Sequence, residues 1–74
     1  MTLKEKLELI RGVKLVKKVG KGEFEVFFLF EQAADKLYNS TLEYYLFLCF
    51  DFLKLEYVVD ERTDAGIDLR VWKK

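Results

Sequence analysis

The sequence predicts an α+β fold, a mainly antiparallel sheet of about four strands with an N-terminal helix packed on one face. Three observations lead there. Thr2 and Glu5 stand at capping-box spacing just ahead of Leu3, Leu7 and Ile10, which recur at helical intervals. Phe24, Val26, Phe28 and Phe30 alternate with Glu23, Glu25, Phe27, Leu29 and Glu31, the period of a strand. Glycine-rich and polar turns separate the strand-like runs, as hairpins require. All 74 residues read as a single domain, with no internal repeat, low-complexity tract or linker.

Taken in order, the first helix ends at Gly12. Val13 to Val19 follows as a strand with Val13, Leu15 and Val19 on its inward row, interrupted by Lys17, and with Val16 among the outward residues. Its lysines mark it as a sheet edge. Gly20-Lys21-Gly22 closes a hairpin onto the Phe24 strand. Gln32 to Ser40 reads as a short helix or helical turn. Thr41 to Val59 is rich in Tyr, Phe and Val, which favour strands, and is expected to form one long strand bent near Cys49 to Asp51. The competing reading is a buried helix opened by Ser40 and Glu43. Asp60 to Gly66 reads as a polar turn, and Ile67, Leu69 and Val71 alternate along a last strand paired with the preceding one.

Composition narrows the function classes. Net charge is zero, but Met1 to Gly22 carries seven Lys or Arg against Glu5 and Glu8, while Glu23 to Asp68 carries eleven acids against Lys36, Lys54 and Arg62. Such a dipole can steer a charged partner or orient two subunits. Lys outnumbers Arg, Glu is common, and Asn, Gln, Met and Cys are scarce, a mix that fits a thermophile. Met1-Thr-Leu-Lys-Glu-Lys has no apolar signal core and no apolar run is long enough to span a bilayer, so the expectation is a soluble, cytoplasmic chain. The lone Cys49 fits a reducing compartment and rules out an internal disulfide.

The sequence offers little for catalysis. It has no His, and Cys49 lies in an apolar run where a thiol stays protonated. The segment from Asp60 resembles a calcium loop only superficially, because Arg62 occupies the third position and Ala65 replaces the required glycine. A non-enzymatic chain with no catalytic residue, metal or cofactor is therefore expected.

Binding is the better expectation. A small domain gains stability from oligomerisation when it has neither disulfides nor metal. Phe27, Leu29, Phe47, Cys49, Leu53 and Leu55 make up the expected second-face or dimer surface, apolar at its centre with charge at its ends. Tyr44, Tyr45, Glu56, Tyr57, Asp60, Glu61 and Trp72 are the candidate partner contacts. Protein is the expected partner, the chain itself as a homodimer first of all. The alternative is nucleic acid, bound by Lys14, Lys17, Lys18 and Lys21, although the exposed aromatics fall in the acidic section, where phosphate is repelled.

Thr41-Leu-Glu-Tyr-Tyr-Leu-Phe, Phe52-Leu-Lys-Leu-Glu-Tyr-Val-Val-Asp-Glu-Arg and Leu69-Arg-Val-Trp-Lys-Lys resemble the C-terminal half of the small type I-D anti-CRISPR proteins of archaeal rod-shaped viruses. The resemblance implies an antiparallel sheet with helices on one side, a dimer, and inhibition by gripping the large subunit of a host CRISPR-Cas complex in the cytoplasm. This chain is neutral where that family is strongly acidic, shorter at its N-terminal end, and lacks a couple of residues inside the long strand. The resemblance transfers no catalytic residue. A viral structural or interaction protein of the same fold is the other role it leaves open.

Overall fold

A computed structural model describes residues 1–30 and 36–74. Helix α1 (Leu3–Glu8) precedes strands β1 (Val13–Gly20) and β2 (Glu23–Leu29). Helix α2 (Lys36–Phe52) and strands β3 (Leu55–Arg62) and β4 (Gly66–Lys73) complete the chain. The strands form one antiparallel sheet in the order β1-β2-β4-β3. This is the α+β architecture expected from the sequence.

The capping box forms as its spacing requires. Thr2 Oγ1 accepts from the Glu5 backbone N–H at 3.2 Å, and Glu5 Oε1 accepts from the Thr2 N–H at 2.9 Å. That backbone donor, with the Thr2 hydroxyl, holds the Glu5 carboxyl below its ordinary pKa. Such short helices do not persist alone; α1 is held by burying Leu7 and Ile10. Gly12 then turns the chain at φ 93°, where the Phe28 ring fills the space a β-carbon would need.

Strand β1 is an edge, as its lysines suggest, but its inward row differs from expectation. Val16 is buried, whereas Leu15 and Val19 are exposed on the other side. The cause is an irregularity at each end of the pairing with β2. Val13 pairs with Phe28 and Val16 with Val26, so an extra residue at Lys14 reverses the alternation. Strand β2 alternates as read, with Phe24, Val26 and Phe28 buried.

The long strand expected over Thr41 to Val59 is replaced by two elements. Residues up to Phe52 form α2, and the strand begins only at Leu55. Leu42, Leu46 and Phe50 recur every four residues, and as a helix they make one buried stripe. Covering a sheet face with that stripe outweighs the strand preference of the Tyr and Phe residues. Lys36 to Ser40 is the first turn of α2, so Ser40 and Glu43 lie within the helix and do not open it; Gln32 to Asp35 lie outside the described residues. The bend falls at Leu53-Lys54 and not at Cys49 to Asp51. Lys54 takes the left-handed conformation with φ 59°, and its N–H reaches Asp51 O at 3.0 Å.

The turn expected from Asp60 is shorter, because β3 runs through Arg62. Thr63 Oγ1 accepts from the N–H groups of Ala65 and Gly66, each at 3.2 Å, which closes the β3–β4 hairpin. At Gly66 a β-carbon would collide with the backbone carbonyl of Phe28, so β2 and β4 can approach there only over a glycine.

The core is one cluster. Leu7 of α1, Ile10 just beyond its end, and Leu42, Leu46 and Phe50 of α2 meet Val16, Phe24, Val26, Phe28, Leu55, Ile67, Leu69 and Val71 of the sheet. Both helices therefore lie on one face of the sheet. Replacing Lys54 with glycine tests the helix stop. Lys54→Gly should raise unfolding stability by about 1 kcal/mol in a denaturant titration, because a side chain in the left-handed region carries about that cost. No gain would mean that contacts of the Lys54 side chain offset the strain.

Candidate functional site

Two surfaces remain after the core is accounted for, and they differ in chemistry. The first is the sheet face opposite the helices. Its cross-strand rows are Leu15, Phe27, Asp68 and Glu61, then Lys17, Glu25, Arg70 and Val58, then Glu23, Trp72 and Glu56. Several of its charges are engaged locally. Arg70 donates to Asp60 through Nε at 3.0 Å and Nη2 at 3.2 Å, and approaches Glu23 at 3.5 Å. Asp60, followed by Glu23, raises the Arg70 pKa above its ordinary value. Trp72 Nε1 donates to Glu56 Oε2 at 3.0 Å. The register shift between Val59 and Glu61 makes Asp60 the extra residue, and Asp60 meets Arg70 there.

The second surface is the outward side of the helix layer. Leu9, Leu37, Tyr44, Tyr45, Leu48 and Phe52 are between 47% and 85% exposed. Between α1 and α2, four of them (Leu9, Tyr45, Leu48 and Phe52) border an open groove of about 610 Å³, whose walls also include Lys6, Cys49 and Leu53. Only Lys36, Glu43 and Asp51 are charged in α2. Glu43 is paired with Arg62 at 2.6 Å and faces β3. Thr41 donates its hydroxyl to Leu37 O at 3.0 Å, which spends its polarity inside the helix. Tyr45 bonds to Cys49; that hydrogen bond, then the charge of Cys49, then burial raise the tyrosine's pKa above its ordinary value.

The candidate contacts divide between these surfaces. Tyr44 and Tyr45 lie outward on α2, while Glu56, Asp60, Glu61 and Trp72 belong to the open sheet face or its β3 edge. Tyr57 turns toward the helix layer and stacks on Phe47, with ring centroids 4.6 Å apart and planes 5° from parallel. The residues expected to form one dimer surface also separate. Phe27 and Leu29 are on the open sheet face, whereas Phe47, Cys49, Leu53 and Leu55 are on the helical side, with Leu55 fully in the core. Lys14, Lys17, Lys18 and Lys21 are all exposed along β1 and its turn, with Lys17 opposite Glu25.

Leu9, Leu37, Leu48 and Phe52 were not anticipated as surface residues. The signal was present as a second helical stripe: Leu37, Thr41, Tyr44, Leu48 and Phe52 recur at intervals of three and four. Among the described residues no cluster of His, Cys, Asp and Glu could hold a metal ion. None of them belongs to a helix long and apolar enough to cross a membrane. No family model matches the chain, and neither a curated protein nor a solved structure is significantly similar to it.

One feature of the open face is unfavourable. Asp68 stands directly opposite Glu61, and its Oδ1 is buried without a hydrogen-bond partner. Like charges facing across a strand pair destabilise it, as does a buried orphan acceptor. Asp68→Thr should therefore raise stability by roughly 1 kcal/mol, read as a higher denaturation midpoint with unchanged slope. A lower midpoint would show that the carboxylate has a stabilising role.

Proposed function

We propose that this chain is a non-enzymatic protein-binding module and that its contact surface is the outward side of α2 together with the groove beside α1. One observation carries the reading. From Tyr44 to Phe52 α2 is apolar on every side except at Asp51, a pattern that belongs in an interior, yet only one side of the helix packs on the sheet. Its outer aromatic and leucine side chains contribute little to the core, and an apolar patch of this kind marks an interaction site.

Protein suits this surface better than the other classes of partner. Phosphate needs a cluster of cations, and this surface has Lys36 on α2 and Lys6 in the groove wall. A helix lying in a membrane interface carries a Lys- and Arg-rich polar face beside its apolar one, whereas here the side opposite the exposed residues is packed on the sheet. Tyr44, Tyr45 and Phe52 instead supply the aromatic anchors common at protein interfaces.

A photo-crosslinking amino acid in place of Tyr44 or Leu48 tests this in cells. The expected result is covalent adducts to protein, with few or none when the same group replaces Glu25 on the open sheet face. Adducts to nucleic acid or lipid, or equal labelling from position 25, would overturn it.

The narrower role we propose is that of a viral inhibitor covering a subunit of a host CRISPR-Cas complex. It draws support from the resemblance of Thr41 to Phe47, Phe52 to Arg62 and Leu69 to Lys74 to the type I-D inhibitors. Purified type I-D interference complex should retain the wild-type chain on a column. Failure to retain the wild type would eliminate that target.

A further inference from the structure

We infer that the outward face of α2 closes on a second copy of this chain, with the two α2 helices antiparallel about a two-fold axis near Tyr44 and Tyr45. The inference rests on the reading of α2 as a protein-binding surface and names its occupant.

The first argument is charge. Apart from Glu43, which is engaged with Arg62, the charges of α2 are Lys36 at its N-terminal end and Asp51 at its C-terminal end. Among the described residues neither has an ion-pair partner. They lie about 22 Å apart along the helix at 1.5 Å per residue, too far to interact within one chain. At 3.6 residues per turn they differ by only about 60° around the axis, so they share a flank. A two-fold axis normal to the plane of an antiparallel helix pair keeps matching flanks on the same side. Lys36 then approaches the partner's Asp51 at one end, and Asp51 approaches the partner's Lys36 at the other. A parallel pair would set lysine against lysine and aspartate against aspartate.

The second argument is the sequence of the face itself. About the same axis Leu37 falls opposite the partner's Phe52, Thr41 opposite the partner's Leu48, and Tyr44 opposite the partner's Tyr45. An isologous interface requires this reciprocity, each residue finding the other's counterpart. Antiparallel packing also places each helix's positive end beside the other's negative end.

The third argument is area. Given roughly 150–250 Å² for a large aromatic side chain, the exposed parts of Leu9, Leu37, Tyr44, Tyr45, Leu48 and Phe52 come to an area on the order of 700 Å². A stable interface of standard size takes about 800 Å² from each partner. The face is thus nearly sufficient alone, and the flanking polar residues supply the remainder. The sheet edges are less suited to self-pairing, because β1 and β3 both contain register irregularities and β1 is lined with lysine.

Sedimentation or light scattering of the pure chain at micromolar concentration should give twice its 8.8 kDa mass. Leu48→Glu should give a monomer with an unchanged circular dichroism spectrum. Lys36→Glu and Asp51→Lys should each weaken the dimer on the order of tenfold, since each replaces two attractive rim contacts with repulsive ones. The combined exchange, Lys36→Glu with Asp51→Lys, should restore it. A monomeric pure chain would overturn the inference, and so would a dimer indifferent to Leu48→Glu. Single exchanges without effect, or a double exchange without rescue, would overturn the antiparallel pairing. If the pure chain is monomeric while the crosslinker at position 44 captures a different protein, the second copy is wrong and the binding surface stands. A monomer without protein crosslinks removes both.

Discussion

Two helices cover one face of a four-stranded sheet, and the rest of the molecule follows from how α2, by far the longer, is placed there. Leu42, Leu46 and Phe50 enter the same core as Val26, Leu69 and Val71, joined by Leu7 of α1 and by Ile10 just after it. Without α2 the apolar residues it covers would meet water, and burying a large side chain contributes about 1.5–3 kcal/mol. The chain has no disulfide to compensate for such a loss. The placement of α2 is therefore the condition for a stable fold of this length. Its outward residues are exposed as a geometric consequence, because the core takes only one side of it.

Local patterns of the sequence were sufficient wherever neighbours in the chain decide the structure. The capping box at Thr2, the glycine turn after β1, the Phe24 row of β2 and the closing β3–β4 hairpin all depend on short-range chemistry. The first three appear as their spacing suggests, and the hairpin forms with a turn shorter than Asp60 to Gly66. Two elements were not legible that way. In β1 a single extra residue at Lys14 reverses which valines face inward, and alternation counted from Val13 misses it. In α2 the residue types favour a strand while their four-residue recurrence favours a helix. Only the need to cover the sheet decides between them. Part of the apolar surface expected on a second sheet face is thus the cover itself, since Phe47 and Cys49 belong to α2 and pack on the core with Leu53.

That relocation changes the meaning of the charged residues. Glu56, Asp60 and Glu61 are candidate partner contacts by sequence. In the structure Asp60 is committed to Arg70 and Glu56 to Trp72, so these groups fix the register of β3 against β4 on the side away from the helices. An acid already satisfied within its own sheet must exchange one partner for another on binding, which returns little free energy. The outer leucine and aromatic residues of α2 have no such prior engagement.

The outward face of α2 also carries a hazard that the rest of the surface does not remove. A protein with zero net charge lacks the mutual repulsion that keeps similar molecules apart. With Leu37, Tyr44, Leu48 and Phe52 in the open, encounters between copies would bury apolar surface whether or not they were specific. Substituting polar residues there would cost the folded core almost nothing, since these side chains lie outside it. Their presence is therefore not explained by folding. A defined occupant accounts for it, because an ordered contact that uses the whole face leaves none for disordered association. Opposite charges at the two ends of the helix would then select one orientation among the greasy contacts available, as polar groups do when hydrophobic pairing alone is ambiguous.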